Sequence, residues 1–173
     1  MDAAKTLVIC KSVHHNNTAR VAHAIADVLG AVVMPPEEVP STSIDDYDLI
    51  GFGSGVYYGS FHEDLWRWVR GLPDQRLPQK PAFVFSTSGL SCLWQLWHGP
   101  FKQALSRKGF DVVGEFHCRG FDGWGPLWLV GGMNKRHPDE RDLSRAVEFA
   151  RHFSGDSQPL PTPLACDTRG GVA

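Results

Sequence analysis

The chain has 173 residues, 42% of them hydrophobic and 21% charged, which is typical of one globular domain. Its formal net charge of −2 argues against nucleic acid as a partner, because phosphate binding needs clustered Lys and Arg. No run reaches the 18 apolar residues of a transmembrane segment, and the four scattered cysteines predict reduced thiols in the cytoplasm rather than a disulfide framework.

Short apolar runs alternate with amphipathic helical segments, which is the pattern of βαβ units on a parallel sheet. The chain opens with a strand at 5–10, and a helix at 18–29 follows, with Gly30 placed to end it. A short strand is expected at 31–34. The Pro- and Asp-rich segment 35–46 predicts at most a degenerate turn of helix.

The middle of the chain continues this alternation. An apolar third strand is predicted at 48–53. The next helix should begin at Ser60, because Ser60 and Glu63 have the spacing of a capping box. A fourth strand follows at 81–85.

The last third of the chain adds two helices and a strand. A helix is predicted over 100–108, because Pro100 suits a first helical turn. A fifth strand follows at 111–119, and a last helix should begin at Pro138, with acidic residues in its first turn.

Residues 1–153 therefore form one α/β domain, and residues 154–173, rich in Pro, Gly and Ser, are predicted to be a mobile tail. Right-handed crossovers bring the ends of all strands to one edge of a parallel sheet, where ligands bind. The loops expected at this edge are 11–17, 54–59, 86–99 and 120–137.

The first of these loops, KSVHHNNT, has the chemistry of a phosphate site. A helix N-terminus offers free backbone N–H groups, and Ser12 and Thr18 add hydroxyl donors. Asn16 and Asn17 tolerate the left-handed turn that aims successive amides at one point, and a histidine at 14 or 15 can donate a further hydrogen bond. Alternatively, Asn17 caps the helix and nothing binds. A His–His metal site is disfavoured because adjacent side chains point apart.

The segment VICKSVHHNNTARVA resembles the phosphate loop of flavodoxins, which ends in Asn-Thr or Gln-Thr before a helix. The segments GSGVYYGSFH and STSGL fall where flavodoxins contact the isoalloxazine ring of FMN. The ordered set spans residues 5–153. The resemblance implies a three-layer α/β sandwich, in which helices cover both faces of a five-stranded parallel sheet of order 2-1-3-4-5. It also implies non-covalently bound FMN.

The same resemblance implies which residues contact the cofactor. The FMN phosphate would be held by Ser12, His14, Asn16, Asn17 and Thr18. The ring would be flanked by Gly55, Val56, Tyr57, Tyr58, Gly59, Thr87, Ser88, Gly89 and Leu90. Asp122 is a candidate polar contact to the ring or the ribityl chain. No catalytic residue and no metal site is expected, because the redox chemistry belongs to the flavin.

Two features depart from the electron-carrier flavodoxins. The phosphate loop is one residue longer and lacks their glycine, and Gly55 and Val56 replace their aromatic–glycine step at the ring. A β-branched Val resists the positive φ that a rotating peptide needs. The longer loop and the pattern VYYGSFH look more like flavodoxin-type protoporphyrinogen oxidases and quinone-linked reductases. One- and two-electron chemistry both stay open, as does an interaction module without flavin.

Residues 120–137 form a connection longer than is usual between a strand and a helix. Its aromatic residues, among them Trp124 and Trp128, either cover the flavin, form a dimer contact, receive an apolar substrate or simply pack onto the domain. The expected partner is a redox protein, either a reductase or an electron acceptor, or a small apolar electron acceptor. A homodimer is left open.

Overall fold

The computed structural model describes residues 4–13, 16–74, 77, 79–89, 93–120 and 137–154. The strands in these ranges are β1 (Thr6–Lys11), β2 (Val32–Met34), β3 (Leu49–Tyr57), β4 (Ser60–Phe61), β5 (Lys80–Ser88) and β6 (Phe110–Arg119). The α-helices are α1 (Asn17–Leu29), α2 (Glu63–Gly71), α3 (Trp94–Arg107) and α4 (Glu140–Arg151). Two short 3-10 helices, Pro36–Glu38 and Ser43–Asp46, occupy the segment where at most one turn was expected.

Five of the described strands form a parallel sheet in the order β2-β1-β3-β5-β6. This order confirms the predicted 2-1-3-4-5 arrangement of the five parallel strands. The additional strand β4 was not predicted, and it pairs antiparallel with the end of β3.

Two hydrophobic cores lie on opposite faces of the sheet. Leu7 and Ile9 of β1 belong to the core that α2 and α3 cover, whereas Val8 and Cys10 belong to the core under α1 and α4. Successive side chains of a strand point to opposite faces, so a strand buried on both faces reads as a continuous apolar run. None of the described helices combines the length and apolar character needed to cross a bilayer.

The segment 54–59 differs from the predicted loop. Strand β3 continues to Tyr57, and a tight turn at Tyr58 and Gly59 leads directly into β4. Both turn residues have positive φ, 51° and 74°, as a type I′ hairpin turn requires. The predicted site residues from Gly55 to Gly59 therefore belong to a hairpin.

The predicted start of the second helix was wrong. Ser60 lies in β4, where its Oγ accepts a hydrogen bond from Trp66 Nε1 at 2.9 Å. The helix N-cap is His62, whose Nδ1 accepts from the Asp64 N–H at 3.2 Å. The capping-box spacing of Ser60 was misleading because the hydroxyl bonds a tryptophan side chain instead of a helix amide.

The third helix also begins earlier than predicted. Helix α3 starts at Trp94, which leaves Pro100 inside it, and β5 runs to Ser88, so the predicted loop 86–99 is mostly regular structure. Proline inside a helix removes one backbone hydrogen bond. The helix nevertheless continues through Pro100, and His98 and Phe101 on either side of it are both 0% exposed. Helix α4 begins just after Pro138, with a capping box at its first turn.

Gly53 in β3 permits a close approach by the Phe85 ring of the neighbouring strand. A Cβ added at Gly53 would clash with this buried ring. We expect Gly53→Ala to lower the free energy of unfolding in urea by about 1–3 kcal/mol, as overpacking does. Gly71→Ala is the control, because a Cβ there meets nothing within 4 Å. Equal stability of Gly53→Ala and wild type would show that the Phe85 ring can move aside.

Candidate functional site

The loop between β1 and α1 reaches the carboxyl edge of the sheet in a left-handed turn. Asn16 has φ 53° and ψ 23°, and its carbonyl oxygen accepts from the Arg20 N–H at 3.0 Å. Its side chain makes no cap hydrogen bond, and Asn17 is the first residue of α1. The structure therefore shows the predicted left-handed turn, at Asn16, and not the alternative in which Asn17 caps the helix.

Ser12, directly after β1, contains a buried polar atom that needs a partner. Its Oγ is shielded from solvent and has no hydrogen-bond partner within the described part of the chain. Leaving a buried hydroxyl unpaired costs about 1–3 kcal/mol, so such groups are expected mainly where function requires them. A phosphate oxygen at the start of α1 would accept from this hydroxyl and interact favourably with the helix N-terminus.

The start of α1, after the predicted loop 11–17, contacts the predicted loop 86–99. Thr18 Oγ1 and Thr87 Oγ1 form a buried hydrogen bond of 2.8 Å between α1 and the end of β5. Gly120, after β6, fits closely against the same pair of loops, because a Cβ there would lie 3.2 Å from Asn17 Nδ2 and from Thr87 Cβ. The structure thus brings Asn17 and Thr18 close to Thr87, which lies 70 and 69 residues further along the sequence.

Tyr57 connects the hairpin to the first loop. Its hydroxyl accepts a hydrogen bond from the Val13 N–H at 3.2 Å, and its side chain lies over Gly55, where an added Cβ would be 2.8 Å from that hydroxyl. The Tyr57 and His62 rings are perpendicular, with centroids 5.3 Å apart. Tyr57 therefore ties the predicted ring-binding segment to the predicted phosphate loop.

The tip of the hairpin is exposed and aromatic. Tyr58 is 86% exposed, and the Trp97 side chain of α3 lies beside Gly59, with Nε1 3.2 Å from a Cβ added there. Val56 pairs with Phe61 in the hairpin, so the backbone at Val56 is held in a strand. Ser88 ends β5 as a buried residue, and Gly89 follows it half-buried.

Lys11, the first residue of the predicted loop 11–17, is already paired with two carboxylates. Lys11 Nζ lies 2.8 Å from Asp64 Oδ2 and 2.6 Å from Glu37 Oε1. The hydrogen bonds to Asp64 and then Glu37 raise the pKa of Lys11, and the hydrogen bond from Lys11 lowers the pKa of Asp64. Because Lys11 serves two carboxylates, a phosphate here would depend on the neutral donors of the first loop and α1.

A buried polar network at the ends of β5 and β6 was missed by the sequence analysis. His98, 0% exposed, bonds Ser86 Oγ through Nε2 at 2.8 Å and Glu115 Oε2 through Nδ1 at 3.0 Å. Ser86 Oγ also lies 3.0 Å from His117 Nδ1. Burial lowers the pKa of His98, and burial lowers the pKa of His117 to about 3. The available signal was the spacing of two between Ser86 and Ser88 and between Glu115 and His117, which places each pair on one face of its strand.

A group of three potential metal ligands occurs at the start of α4. Ligand atoms of His137, Asp139 and Asp142 lie within 4.8 Å of one another. The two aspartates form the capping box of α4, and Asp142 Oδ2 also lies 2.6 Å from His137 Nδ1. These contacts account for the cluster as a helix cap.

Several predicted features lie outside the described residues. They are His14, Leu90, Asp122, most of the aromatic segment 120–137 and nearly all of the tail 154–173.

Residues 7–95 match the family model described as "Flavodoxin domain". The uncharacterized protein MJ0298 of Methanocaldococcus jannaschii is 41% identical over 85% of this chain and 96% of its own.

Solved structures share the fold at low identity. Oxidised Flavodoxin 2 from Bacillus cereus superposes with a TM-score of 0.65 at 20% identity, over 89% of this chain and 100% of its own. The apo form of an NADH:FMN oxidoreductase superposes with a TM-score of 0.61 at 16% identity, over 91% and 92% of the two chains. The family model matches 89 of the 173 residues, and the chain therefore belongs to the flavodoxin family.

Proposed function

We propose that this protein binds FMN non-covalently at the carboxyl edge of its sheet and uses it in redox chemistry. The observation that carries the proposal is the buried Ser12 hydroxyl, which has no hydrogen-bond partner among the described residues and lies near the left-handed turn at Asn16 in sequence. An anion with several acceptor oxygens at the N-terminus of α1 would satisfy both the hydroxyl and the first helix amides.

The described residues fit FMN both at its phosphate end and at its ring end. Ser12, Thr18 and the first amides of α1 would hold the phosphate, as neutral donors. The hairpin with Tyr57 and Tyr58 would contact the ring, together with the end of β5. Bound FMN supplies the electron-accepting and electron-donating chemistry, and the chain supplies binding, orientation and exclusion of water.

A two-electron oxidoreductase acting on a small apolar acceptor is the form of this function that we favour. Val56 is held by its pairing with Phe61, so a rotation of its peptide would disrupt the hairpin. Exposed apolar side chains near the edge, Tyr58 at 86% and Leu96 at 66%, would suit an apolar acceptor. The net charge of −2 gives weak steering toward a basic protein partner.

An electron carrier for a redox partner protein is the second candidate. Its support is the positive φ at Tyr58 and Gly59, an aromatic–glycine step that begins two residues after Val56. This turn provides a glycine peptide able to change conformation near the ring. Either form would act in the cytoplasm, as the cysteine pattern predicts.

The absorption spectrum of the purified protein tests the proposal. We expect a flavin spectrum, release of FMN on denaturation, and reconstitution of the stripped protein by added FMN. A colourless protein that FMN cannot reconstitute would refute FMN binding and favour the interaction module. A redox titration then separates the two forms, because a single two-electron transition supports the oxidoreductase and two resolved one-electron transitions support the carrier.

A further inference from the structure

A continuous series of hydrogen bonds leads from the surface of α3 to the end of β5. We call it the histidine chain, and its members are Lys102, Glu115, His98, Ser86, His117 and Ser88. Its inner part is fully buried, since His98 and Ser86 are both 0% exposed. Its outer part reaches solvent, because the side chains of Lys102 and Glu115 are 36% and 24% exposed.

The contacts of Glu115 set the direction of the hydrogen bonds. A carboxylate only accepts, so His98 Nδ1 must carry the proton of the 3.0 Å bond to Glu115 Oε2. A neutral imidazole then has an unprotonated Nε2, which accepts from the Ser86 hydroxyl at 2.8 Å. Lys102 Nζ donates to the other carboxylate oxygen of Glu115.

The same reasoning extends to the second histidine. Ser86 has donated its hydrogen to His98, so its oxygen accepts from His117 Nδ1–H at 3.0 Å. This leaves His117 Nε2 as an acceptor, with Ser88 Oγ 3.5 Å away at the carboxyl end of β5. Every donor between His117 and Glu115 therefore points toward Glu115, and such a series can pass a proton from one member to the next.

A hydrolytic role does not fit this geometry, although Ser86, His98 and Glu115 have the connectivity of a Ser-His-acid triad. The Ser86 oxygen is 0% exposed and is held between two imidazoles. A substrate carbonyl cannot reach it, so Ser86 is a link between the two histidines.

We propose that the histidine chain is a proton path between the flavin site and the surface carboxylate of Glu115. The proposal rests on the proposed FMN function, because two-electron reduction of an isoalloxazine ring takes up a proton and reoxidation releases it. The His117 end of the chain lies at the carboxyl end of β5, beside the residues predicted to flank the ring. Lys102, Glu115 and Arg145 are the charged groups that act on the two histidines.

A released proton would move in five transfers, the last of them to water. His117 Nε2 takes it up, and the Nδ1 proton of His117 passes to Ser86. The former Ser86 proton passes to His98 Nε2, and the Nδ1 proton of His98 passes to Glu115, which yields it to water. Each transfer breaks one bond to hydrogen and forms another, and no electrons leave or enter the chain of residues. Proton uptake runs through the same bonds in reverse and restores the starting tautomers.

Proton release on reoxidation of the FMN-loaded protein tests this path, because release follows the direction in which the donors point. A pH-indicator dye would follow release after rapid reoxidation of the reduced protein, in wild type, Ser86→Ala and Glu115→Gln. Ser86→Ala interrupts the series, whereas Glu115→Gln keeps an acceptor oxygen for His98 but removes the group that takes up the proton. We expect release at least about tenfold slower in both variants, which corresponds to about 1.4 kcal/mol of activation free energy. Glu148→Gln, at an exposed position on α4, is the matched control and should release protons at the wild-type rate.

A second measurement needs no flavin. In flavin-free protein labelled with ¹⁵N-histidine, NMR should show His98 and His117 protonated at Nδ1 and unprotonated at Nε2 at neutral pH. A proton on His98 Nε2 instead would overturn the direction of the chain. If wild type binds FMN and both variants release protons at its rate, the path is wrong and the proposed function stands. If wild type binds no FMN, both proposals fail.

Discussion

Replacing Ser12 with Ala is expected to weaken FMN binding while leaving the flavin-free protein at least as stable as wild type. The Ser12 hydroxyl is buried without a hydrogen-bond partner in the described ranges, so its removal relieves a desolvation cost of about 1 kcal/mol or more. A hydrogen bond to a charged phosphate contributes about 1.5–3 kcal/mol, so the dissociation constant for FMN should rise about 10- to 100-fold. A variant that binds FMN more weakly but is at least as stable without flavin distinguishes a ligand-binding serine from a structural one, whose loss would lower the stability.

Riboflavin provides the internal control, because it carries the same ring without the phosphate. Quenching of flavin fluorescence gives both affinities, and urea denaturation gives the stability of the flavin-free protein. Only the FMN affinity should fall in Ser12→Ala. Ser144→Ala, at an exposed position where the hydroxyl bonds its own helix, should leave both affinities unchanged. Equal losses for FMN and riboflavin, or a less stable flavin-free protein, would contradict a phosphate contact at Ser12.

The sheet could be predicted from the sequence because its strands are buried on both faces. Runs such as those at Leu7 and Phe83 are continuously apolar, and the helices between them have a clear apolar face. The hairpin could not be predicted in this way. Strand β4 has only two residues, too few for any alternation to show, and the Tyr58 turn places a bulky residue at positive φ.

The left-handed turn at Asn16 was predictable, because few residue types other than glycine tolerate that conformation. The histidine chain was not, because it depends on sheet register. Ser86 lies opposite His117 only because β5 and β6 shift register between Ala82 and Phe83. Without this irregularity, Ser86 would lie opposite Phe116. A one-residue shift moves every side chain to the other face, and nothing in a single sequence marks its place.

Replacing His117 with Gln is expected to make the protein less sensitive to acid. Burial lowers the pKa of His117 to about 3 in the folded protein, whereas an unfolded histidine titrates near 6.5. Above pH 6.5 both states are neutral at this residue, and pH has no effect through it. As the pH falls from about 6.5 toward 3, only the unfolded state takes up the proton. The free energy of unfolding therefore decreases by about 1.4 kcal/mol per pH unit. At pH 4.5 this amounts to about 3 kcal/mol.

Urea unfolding of the flavin-free protein between pH 8 and pH 4.5 measures this difference. The buried His98 and the carboxylates also contribute to the pH dependence of wild type. The informative quantity is therefore the slope of the free energy of unfolding against pH in wild type, minus the same slope in His117→Gln. We expect about 1.4 kcal/mol per pH unit below pH 6.5 and zero above it. His23→Gln, on the exposed side of α1, should follow the wild-type curve. Parallel curves for wild type and His117→Gln would mean that folded His117 takes up a proton as readily as the unfolded residue. A neutral imidazole bonded to Ser86 would then be the wrong description of this part of the sheet edge.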